Sequence, residues 1–175
     1  MRHSTRSSLS MRADGCSIES GEMAVSAPRL RKSAPCVPRG CPLYLADTSA
    51  WHRSGRVVDR WEPLLETDEL ALCTPVRLEL LLSARGPADF RALSSDLAQV
   101  RHLGLDDRCE RAAARIQAAL AERSQHRGPT PADLLIAAIA EVNGATLLHY
   151  DRHFDTIARV TGQPMEWLAR RGSLD

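Results

Sequence analysis

The chain has 175 residues, of which 43% are hydrophobic and 26% charged, and its formal net charge is +1. This composition is typical of a single globular domain. The sequence lacks both the run of ~18 apolar residues that a membrane span needs and the apolar segment of a secretory signal. A cytoplasmic protein that binds no membrane is therefore expected. The five cysteines include no C-x-x-C pair, which favours reduced thiols over disulfides or a zinc knuckle.

The first 42 residues differ in composition from the rest of the chain. They are rich in Ser, Arg and Pro, follow neither a helical nor a strand period, and carry seven basic and three acidic residues. We expect residues 1–42 to be a disordered extension, acting as a nucleic-acid arm or targeting segment, or else to lie upstream of the true start codon. Residues 43–175, with 16 basic and 19 acidic residues, are expected to form one folded domain.

Short apolar runs and longer amphipathic runs alternate through the first half of this domain. Residues 43–46 predict a buried strand, and residues 57–65 predict a helix with its apolar side chains on one face. Residues 70–73 predict a second strand. Thr74 then offers an N-cap and is followed by a proline, which suits the first helical position, so a helix is expected over residues 76–84.

The second half of the domain shows the same alternation. Two helices are predicted over residues 90–97 and 106–123, the second with acidic residues at its start and arginine at its end. Thr130 is expected to cap a third helix, which the later Asn143-Gly144 pair ends. The apolar residues 145–149 predict a third strand.

The order of these elements indicates an α/β fold. Strands that alternate with helices form a mostly parallel sheet with helices on both faces, and residues 164–168 are expected to add an edge element. In such a sheet, ligands bind beyond the carboxyl ends of the strands. Asp47 and Asp151 follow predicted strands, and Glu79 and Asp133 lie in the first turns of two predicted helices. Four carboxylates are therefore expected at one edge of the sheet.

Each of these acids also has an ordinary structural interpretation. Asp47 and Asp151 are placed to cap helices. Asp133 has the spacing of a capping box with Thr130, and Glu79 suits an exposed helix face. Together they favour chemistry, because two carboxylates about 4 Å apart repel each other by about 4 kcal/mol at an effective dielectric of about 20. Such a group takes up protons or a hard cation, and oxygen ligands suit Mg²⁺ or Mn²⁺ with phosphate oxygens as further ligands, which predicts phosphate chemistry.

Other classes that place acids or histidines in similar positions fit the sequence poorly. A receiver domain and a P-loop nucleotidase each need a lysine within the domain, whereas the only lysine of the sequence is Lys32. A phosphatase of the haloacid dehalogenase type needs D-x-D, whereas Thr48 and Ser49 follow the first acid. His149 and His153 lie four residues apart without a third nitrogen or sulfur ligand beside them, which disfavours a zinc site.

Four segments of the domain stand out together: YLADTSAW, TPVRLELL, TPADLLIAAIA and LLHYDRHFDTIA, which span nearly all of residues 43–175. In their order and spacing they resemble the PIN-domain ribonucleases, and within them the VapC toxins of bacterial VapBC toxin–antitoxin pairs. The resemblance implies a PIN-like three-layer α/β/α sandwich with a mostly parallel central sheet. It also implies the site residues. The implied catalytic residues are Asp47, Glu79, Asp133 and Asp151.

The same resemblance implies a metal site that uses Mg²⁺, with Mn²⁺ as the alternative. The implied metal residues are Asp47, Asp133, Asp151 and Asp155. Among them, Asp155 is expected either to bind the metal directly or to stand behind a direct ligand, because it lies one helical turn after Asp151. The hydroxyls of Thr48 and Ser49 are expected to support the site through hydrogen bonds.

The implied function is that of a toxin whose Mg²⁺-dependent endoribonuclease activity cuts tRNA, rRNA or mRNA and so inhibits translation. A homodimer and a cognate VapB-type antitoxin are the implied partners. Residues 43–175 carry more acids than bases, so RNA binding needs positive charge near the site. The arginines expected to supply it, at the rim of the site, are Arg53, Arg56, Arg60 and Arg152. Trp51 is expected either to stack on an RNA base or to pack in the core. The alternative function is an inactive PIN-fold module that binds RNA or protein.

Overall fold

The computed structural model of the protein describes residues 42–175, so the predicted N-terminal extension, apart from Pro42, lies outside the described residues. Within residues 42–175, five strands form one parallel sheet in the order β3-β2-β1-β4-β5. The strands are β1 (Tyr44–Ala46), β2 (Leu70–Cys73), β3 (Arg101–Leu103), β4 (Thr146–His149) and β5 (Met165–Trp167).

Seven α-helices connect and cover these strands in the same part of the chain. They are α1 (Thr48–Trp51), α2 (Val58–Glu66), α3 (Thr74–Leu81), α4 (Pro87–Leu97), α5 (Asp107–Glu122), α6 (Pro131–Val142) and α7 (Arg152–Thr161). A short 3₁₀ turn, Ser54–Arg56, joins α1 to α2. None of these helices is long and apolar enough to cross a membrane.

The path of the chain through the sheet places helices on both faces. From β1 through β2 to β3 the chain moves one way along the sheet, and from β3 to β4 and β5 it moves the other way. Because crossovers between parallel strands are right-handed, α2–α4 lie on one face and α5–α7 on the other. Within each group α3 contacts α4, and α5, α6 and α7 contact one another, while α3 also contacts α6 of the other group. The predicted three-layer α/β/α sandwich with a parallel central sheet is confirmed.

The core lies between the central strands and the helices that cover them. All four residues of β2 are buried, and Leu147 and Leu148 of β4 are fully buried. Continuous apolar runs are typical of parallel strands that are covered on both faces. On one face α6 supplies Ile136 and Ile139, which are also fully buried. The sequence signal was therefore strongest for the strands that hold the site.

One strand of the domain was not predicted, and one predicted helix cap is wrong. The strand β3 was not predicted, because Arg101 and His102 are exposed and only Leu103 is buried, so it lacks the apolar run of the central strands. Thr74 does not cap α3, which begins at Thr74 itself and ends at Leu81. The Thr74 hydroxyl instead lies 3.2 Å from Nε2 of His102 on the neighbouring strand. A tertiary contact has replaced the local cap.

Candidate active site

The predicted acids lie where the strand order of the sheet reverses. β1 lies between β2 and β4, and the chain leaves these two neighbours in opposite directions, which opens a crevice beyond the carboxyl ends of the strands. Asp47 follows β1 directly, and Asp151 follows β4 after one residue. Glu79 lies in α3, which begins at the end of β2, and Asp133 lies in the first turn of α6.

Asp47 is a buried carboxylate at the end of the central strand. Its side chain is the N-cap of α1, where Oδ2 accepts a hydrogen bond from the Ser49 amide at 2.9 Å. Its own amide donates to the carbonyl of Leu148 at 2.9 Å, which fixes it against β4. The residue is only 5% exposed. The predicted capping role is therefore present, but the carboxylate is far more buried than a surface cap requires.

The two hydroxyls after Asp47 tie the site to its neighbouring elements. Thr48 Oγ1 donates to Glu79 Oε2 at 2.5 Å, which joins α1 to α3. Ser49 Oγ accepts a hydrogen bond from the Tyr150 amide at 2.8 Å, which joins α1 to the segment after β4. These contacts are of the kind predicted for Thr48 and Ser49. The first orients Glu79, and the second orients the chain beside Asp151.

Asp133 combines a structural contact with a position beside the other acids. Its Oδ2 accepts from the Thr130 amide at 2.7 Å, and the Thr130 hydroxyl accepts from the Asp133 amide at 3.2 Å, so the predicted capping box is present. The same Oδ2 lies 3.8 Å from Nδ1 of His153. The side chain is 14% exposed. One oxygen is engaged in the cap, and Oδ1 is available for a ligand.

Asp151 faces Asp133 across an imidazole. It is the N-cap of α7, where Oδ1 accepts from the His153 amide at 2.9 Å, and its Oδ2 lies 3.5 Å from His153 Nδ1. His153 therefore lies between the two carboxylates, a contact that sequence analysis did not predict. His149 is fully buried, and its Nδ1 accepts from the Asp151 amide at 3.3 Å, so the two histidines do not converge.

The acids also act on one another electrostatically. Burial raises the pKa of Asp47 to about 6, and the charge of Asp133 adds to this rise while the hydrogen bonds from Ser49 oppose it. Burial likewise raises the pKa of Asp133, and the charge of Asp151 contributes in the same direction. Burial raises the pKa of the Cys73 thiol to about 12, and the charges of Asp47 and Glu79 add to it. The charge of Asp133 therefore acts on Asp47 and that of Asp151 on Asp133, while Glu79 acts together with Asp47 on Cys73.

The donor chemistry of this edge fits a hard divalent cation. Within residues 42–175, no three His, Cys, Asp or Glu side chains already converge as a metal site. Mg²⁺ does not require such a cage, because it characteristically takes one or two protein carboxylates and completes its shell with waters and phosphate oxygens. A cation would also offset the cost of burying the charges of Asp47 and Asp133, which is the main cause of their raised pKa values, and the smaller repulsion between the acids.

Asp155 has a different set of contacts from the other predicted metal residues. Its Oδ1 accepts a hydrogen bond from Trp167 Nε1 at 2.9 Å, which ties α7 to β5. This oxygen is therefore committed to a tertiary contact. Two roles were predicted for Asp155. The geometry favours the indirect one, in which Asp155 fixes α7 and so helps to position Asp151, over direct metal binding.

Trp51 packs in the core, which is one of the two roles predicted for it. Its side chain is 7% exposed, and its ring meets Trp61 edge to face with 4.9 Å between centroids. A ring in this position is not available to stack on an RNA base, so Trp51 is removed from the predicted RNA rim. Its indole Nε1 is buried without a hydrogen-bond partner among the described residues.

Replacing Trp51 with alanine is expected to lower the free energy of unfolding by about 3–5 kcal/mol, because it leaves a large cavity beside Trp61. Trp51→Phe keeps an apolar ring and removes the unpartnered N–H, so it is expected to cost far less. Urea unfolding of both variants checks this order. If folded Trp51→Phe protein bound RNA clearly more weakly than the wild type, packing alone would not describe this residue.

The predicted arginine rim divides into engaged and free side chains. Arg60 donates to the carbonyls of Trp167 and Leu168 and pairs with Glu166, so it holds β5 against α2 and is not a rim residue. Arg152 is exposed at the start of α7. Arg53 and Arg56 contact the last residues of the sequence. No local pattern predicted those contacts, because their partners are more than 100 positions away.

This sheet order, with acids at its reversal point, is the architecture of a PIN domain, and the family model for the PIN domain matches residues 44–160. Ribonuclease VapC18 of Mycobacterium tuberculosis is 39% identical over 136 residues, which cover 75% of this chain and 99% of the relative. Ribonuclease VapC51 of the same species is 41% identical over 134 residues, which cover 75% and 97%. The chain belongs to the PIN-domain family and, within it, to the VapC ribonucleases.

Solved structures show the same fold. VapBC-5 of Mycobacterium tuberculosis, a member of the VapBC family of toxin–antitoxin systems, matches with a TM-score of 0.51 at 26% identity, covering 72% of this chain and 98% of that one. A DNA-bound VapBC from Salmonella typhimurium matches with a TM-score of 0.61 at 16% identity, covering 74% and 100%. The predicted family resemblance is confirmed.

Proposed function

We propose that this protein is a metal-dependent endoribonuclease that hydrolyses RNA phosphodiester bonds as the toxin of a toxin–antitoxin pair. The observation that carries the proposal is the position of four acids beyond the carboxyl ends of the strands, where the strand order reverses: Asp47, Glu79, Asp133 and Asp151. Helix capping alone does not account for all four, because Glu79 caps no helix of residues 42–175 and accepts a hydrogen bond from Thr48 of α1. The ribonuclease names of the VapC relatives support the same activity.

In this proposal, Asp47, Asp133 and Asp151 hold the cation, Mg²⁺ or alternatively Mn²⁺, some directly and some through its bound waters. Such an ion supplies a bound water of lowered pKa and offsets charge on the phosphate oxygens. Glu79 has Oε2 engaged by the Thr48 hydroxyl, so its Oε1 remains to accept a hydrogen bond from a water or from the substrate. The Ser49 amide donates a hydrogen bond that holds the Asp47 carboxylate in place.

The arginines beside the acids supply the local charge that RNA binding needs. Residues 43–175 carry 16 basic and 19 acidic residues, so net charge alone would repel a polyanion. Arg53 and Arg56 follow α1, and Arg152 follows Asp151, which places arginines beside the first and last acids of the site. Their planar guanidinium groups suit bidentate contacts with phosphate. Under this proposal they position the RNA backbone across the carboxylates.

A VapB-type antitoxin is the proposed protein partner, because VapBC-5, the solved relative of highest identity described above, is named as a toxin–antitoxin system. A homodimer and action on RNA in the cytoplasm, where translation takes place, complete the proposal. The competing function is a PIN-fold module that binds RNA or protein without cutting. All four catalytic candidates are present in this chain, which favours the enzyme.

The full chain is expected to cut total bacterial RNA at discrete positions with Mg²⁺ or Mn²⁺ and to stop when EDTA removes the metal. Asp133→Asn is expected to abolish cleavage. Asp155→Asn is the matched control, because asparagine Oδ1 can still accept the Trp167 hydrogen bond, and it is expected to retain activity.

Sequencing of the RNA ends identifies the cleavage sites. Cleavage that persists in EDTA, or in folded Asp133→Asn protein, would contradict a metal-dependent mechanism. RNA binding without cleavage under all metal conditions would favour the binding module.

A further inference from the structure

The last residues of the sequence fold back onto Tyr150, between β4 and the proposed metal ligand Asp151. The Tyr150 hydroxyl accepts a hydrogen bond from the Leu174 amide at 2.7 Å and donates to the Arg170 carbonyl at 3.3 Å. Within this segment, the Ser173 amide and hydroxyl both bond to the Arg170 carbonyl. We refer to residues 170–175 as the strap. A single phenol hydroxyl thus holds the strap at two points.

The strap also engages two of the arginines proposed to bind RNA. Arg56 Nη1 donates to the Leu174 carbonyl. Arg53 Nη2 lies 4.0 Å from Asp175 Oδ1, and the Arg53 side chain is 31% exposed. A carbonyl oxygen and a carboxylate oxygen are the same kind of acceptor that a phosphodiester offers to a guanidinium group. The strap therefore gives Arg53 and Arg56 acceptors of the kind that an RNA phosphate would give them.

The engaged arginine is linked directly to the acidic site. The Arg53 guanidinium lies over the Tyr150 ring, 4.7 Å from its centroid, and its Nη1 donates to the Ser49 carbonyl at 3.2 Å. The Ser49 amide in turn donates to Asp47 Oδ2. Two residues, Arg53 and Ser49, thus link the strap to the proposed metal ligand Asp47.

We propose that the strap is an intramolecular competitor of RNA, which must leave Arg53 and Arg56 before the RNA backbone can bind there. This inference rests on the proposed function, because it concerns the regulation of the same site. The Arg53 and Asp175 side chains are partly to largely exposed, so their pairing is weak and the strap opens readily. The open form binds RNA, and the closed form lowers the apparent affinity.

The size of the effect follows from the population of the open form. The apparent dissociation constant equals the intrinsic constant divided by the competent fraction, so a strap that is open about 10–30% of the time weakens RNA binding about 3- to 10-fold. Each phosphate contact regained by a freed arginine also steepens the dependence of log K on log salt by about 0.7 for single-stranded RNA. Both quantities are measurable without cleavage.

Tyr150→Phe is the variant that releases the strap with the least disturbance. It removes the hydroxyl that binds Leu174 and Arg170 but keeps the buried ring on which Arg53 lies. Binding of a fluorescein-labelled single-stranded RNA of mixed sequence is measured by anisotropy in EDTA, with salt varied. We expect Tyr150→Phe to bind about 3- to 10-fold more tightly, with a steeper salt dependence.

Two further variants show whether the gain comes from the freed arginines. Asp175→Asn is expected to give a smaller gain of the same sign, because it weakens only the Arg53 contact. Arg53→Gln combined with Tyr150→Phe is expected to lose most of the gain. Hydrogen exchange of a peptide covering residues 170–175 is expected to rise when RNA is added to the wild type, because RNA displaces the strap.

The outcomes separate this inference from the proposed function. In one outcome the wild type cleaves RNA, Tyr150→Phe leaves the RNA affinity unchanged, and added RNA leaves the hydrogen exchange of residues 170–175 unchanged. That outcome overturns the strap and leaves the ribonuclease in place. Tighter binding by Tyr150→Phe in EDTA, with no cleavage by the wild type or the variant when Mg²⁺ or Mn²⁺ is added, supports the strap and overturns the enzyme. Weaker RNA binding by folded Tyr150→Phe also overturns the strap. Thermal unfolding at an unchanged temperature shows for each variant that the fold is intact.

Discussion

Asp47→Asn is expected to lower kcat for RNA cleavage by about 10³-fold, because removal of one preorganised electrostatic group from an active site typically costs 10²–10³-fold. The substitution keeps the shape of the side chain and leaves an oxygen that can accept the Ser49 hydrogen bond. The loss would therefore come from the missing charge and not from a broken helix cap. Cleavage of one defined RNA at saturating Mg²⁺ measures the effect.

The control for Asp47→Asn makes the same chemical change at a residue with a different role. Asp155→Asn alters a carboxylate that binds the Trp167 indole, and it is expected to keep kcat close to that of the wild type. Equal losses in the two variants would mean that the charge of the whole region matters, with no special role for Asp47. Full activity of Asp47→Asn would remove Asp47 from the catalytic set.

In the metal-free protein, the contribution of Asp47 to the free energy of unfolding is expected to fall as the pH rises from about 4 to about 6. Burial raises the Asp47 pKa from 3.8 to about 6, so in this interval the folded carboxyl holds a proton that the unfolded one has released. Unfolding then releases protons, and the free energy of unfolding falls as the pH rises. At about 1.4 kcal/mol per pKa unit, the Asp47 charge destabilises the metal-free fold by about 3 kcal/mol at pH 7.

Urea unfolding of the wild type and Asp47→Asn in EDTA isolates this contribution, because all other titrating groups are common to both proteins. The two stabilities are expected to be similar near pH 4, and the variant is expected to be more stable by about 3 kcal/mol at pH 7. Added Mg²⁺ or Mn²⁺ should then stabilise the wild type more than the variant. A difference that does not change with pH would show that Asp47 titrates as an ordinary surface carboxyl.

The predictable parts of the fold are those with local signals. The central strands are continuous apolar runs, and the Thr130 capping box and the Asn143-Gly144 helix end are encoded within a few residues of each other. β3 was missed because it pairs only with β2 and exposes Arg101 and His102, so burial imposes little pattern on it. Thr74 was assigned to a cap because the sequence does not reveal its neighbour across the sheet.

The positions of the site acids were predictable, whereas several of their surroundings were not. A carboxylate at the end of a buried strand is visible in the sequence, and Asp47 and Asp151 follow this rule. The imidazole of His153 between two carboxylates depends on the angle between α6 and α7, which no spacing encodes. The strap depends on contacts such as Arg56 with Leu174, which lie 118 positions apart. Such contacts arise from packing after the elements have formed.

The order of the strands also determines when activity can arise during synthesis. β1 is made early, but its second neighbour, β4, and the acid Asp151 emerge about one hundred residues later. Until then Asp47 lacks the β4 carbonyl that holds its amide, and one proposed metal ligand is absent. Because a domain generally folds as a unit, we expect the growing chain to be inactive on RNA until Asp151 has been made. A ribosome can therefore finish this nuclease without being exposed to it during elongation.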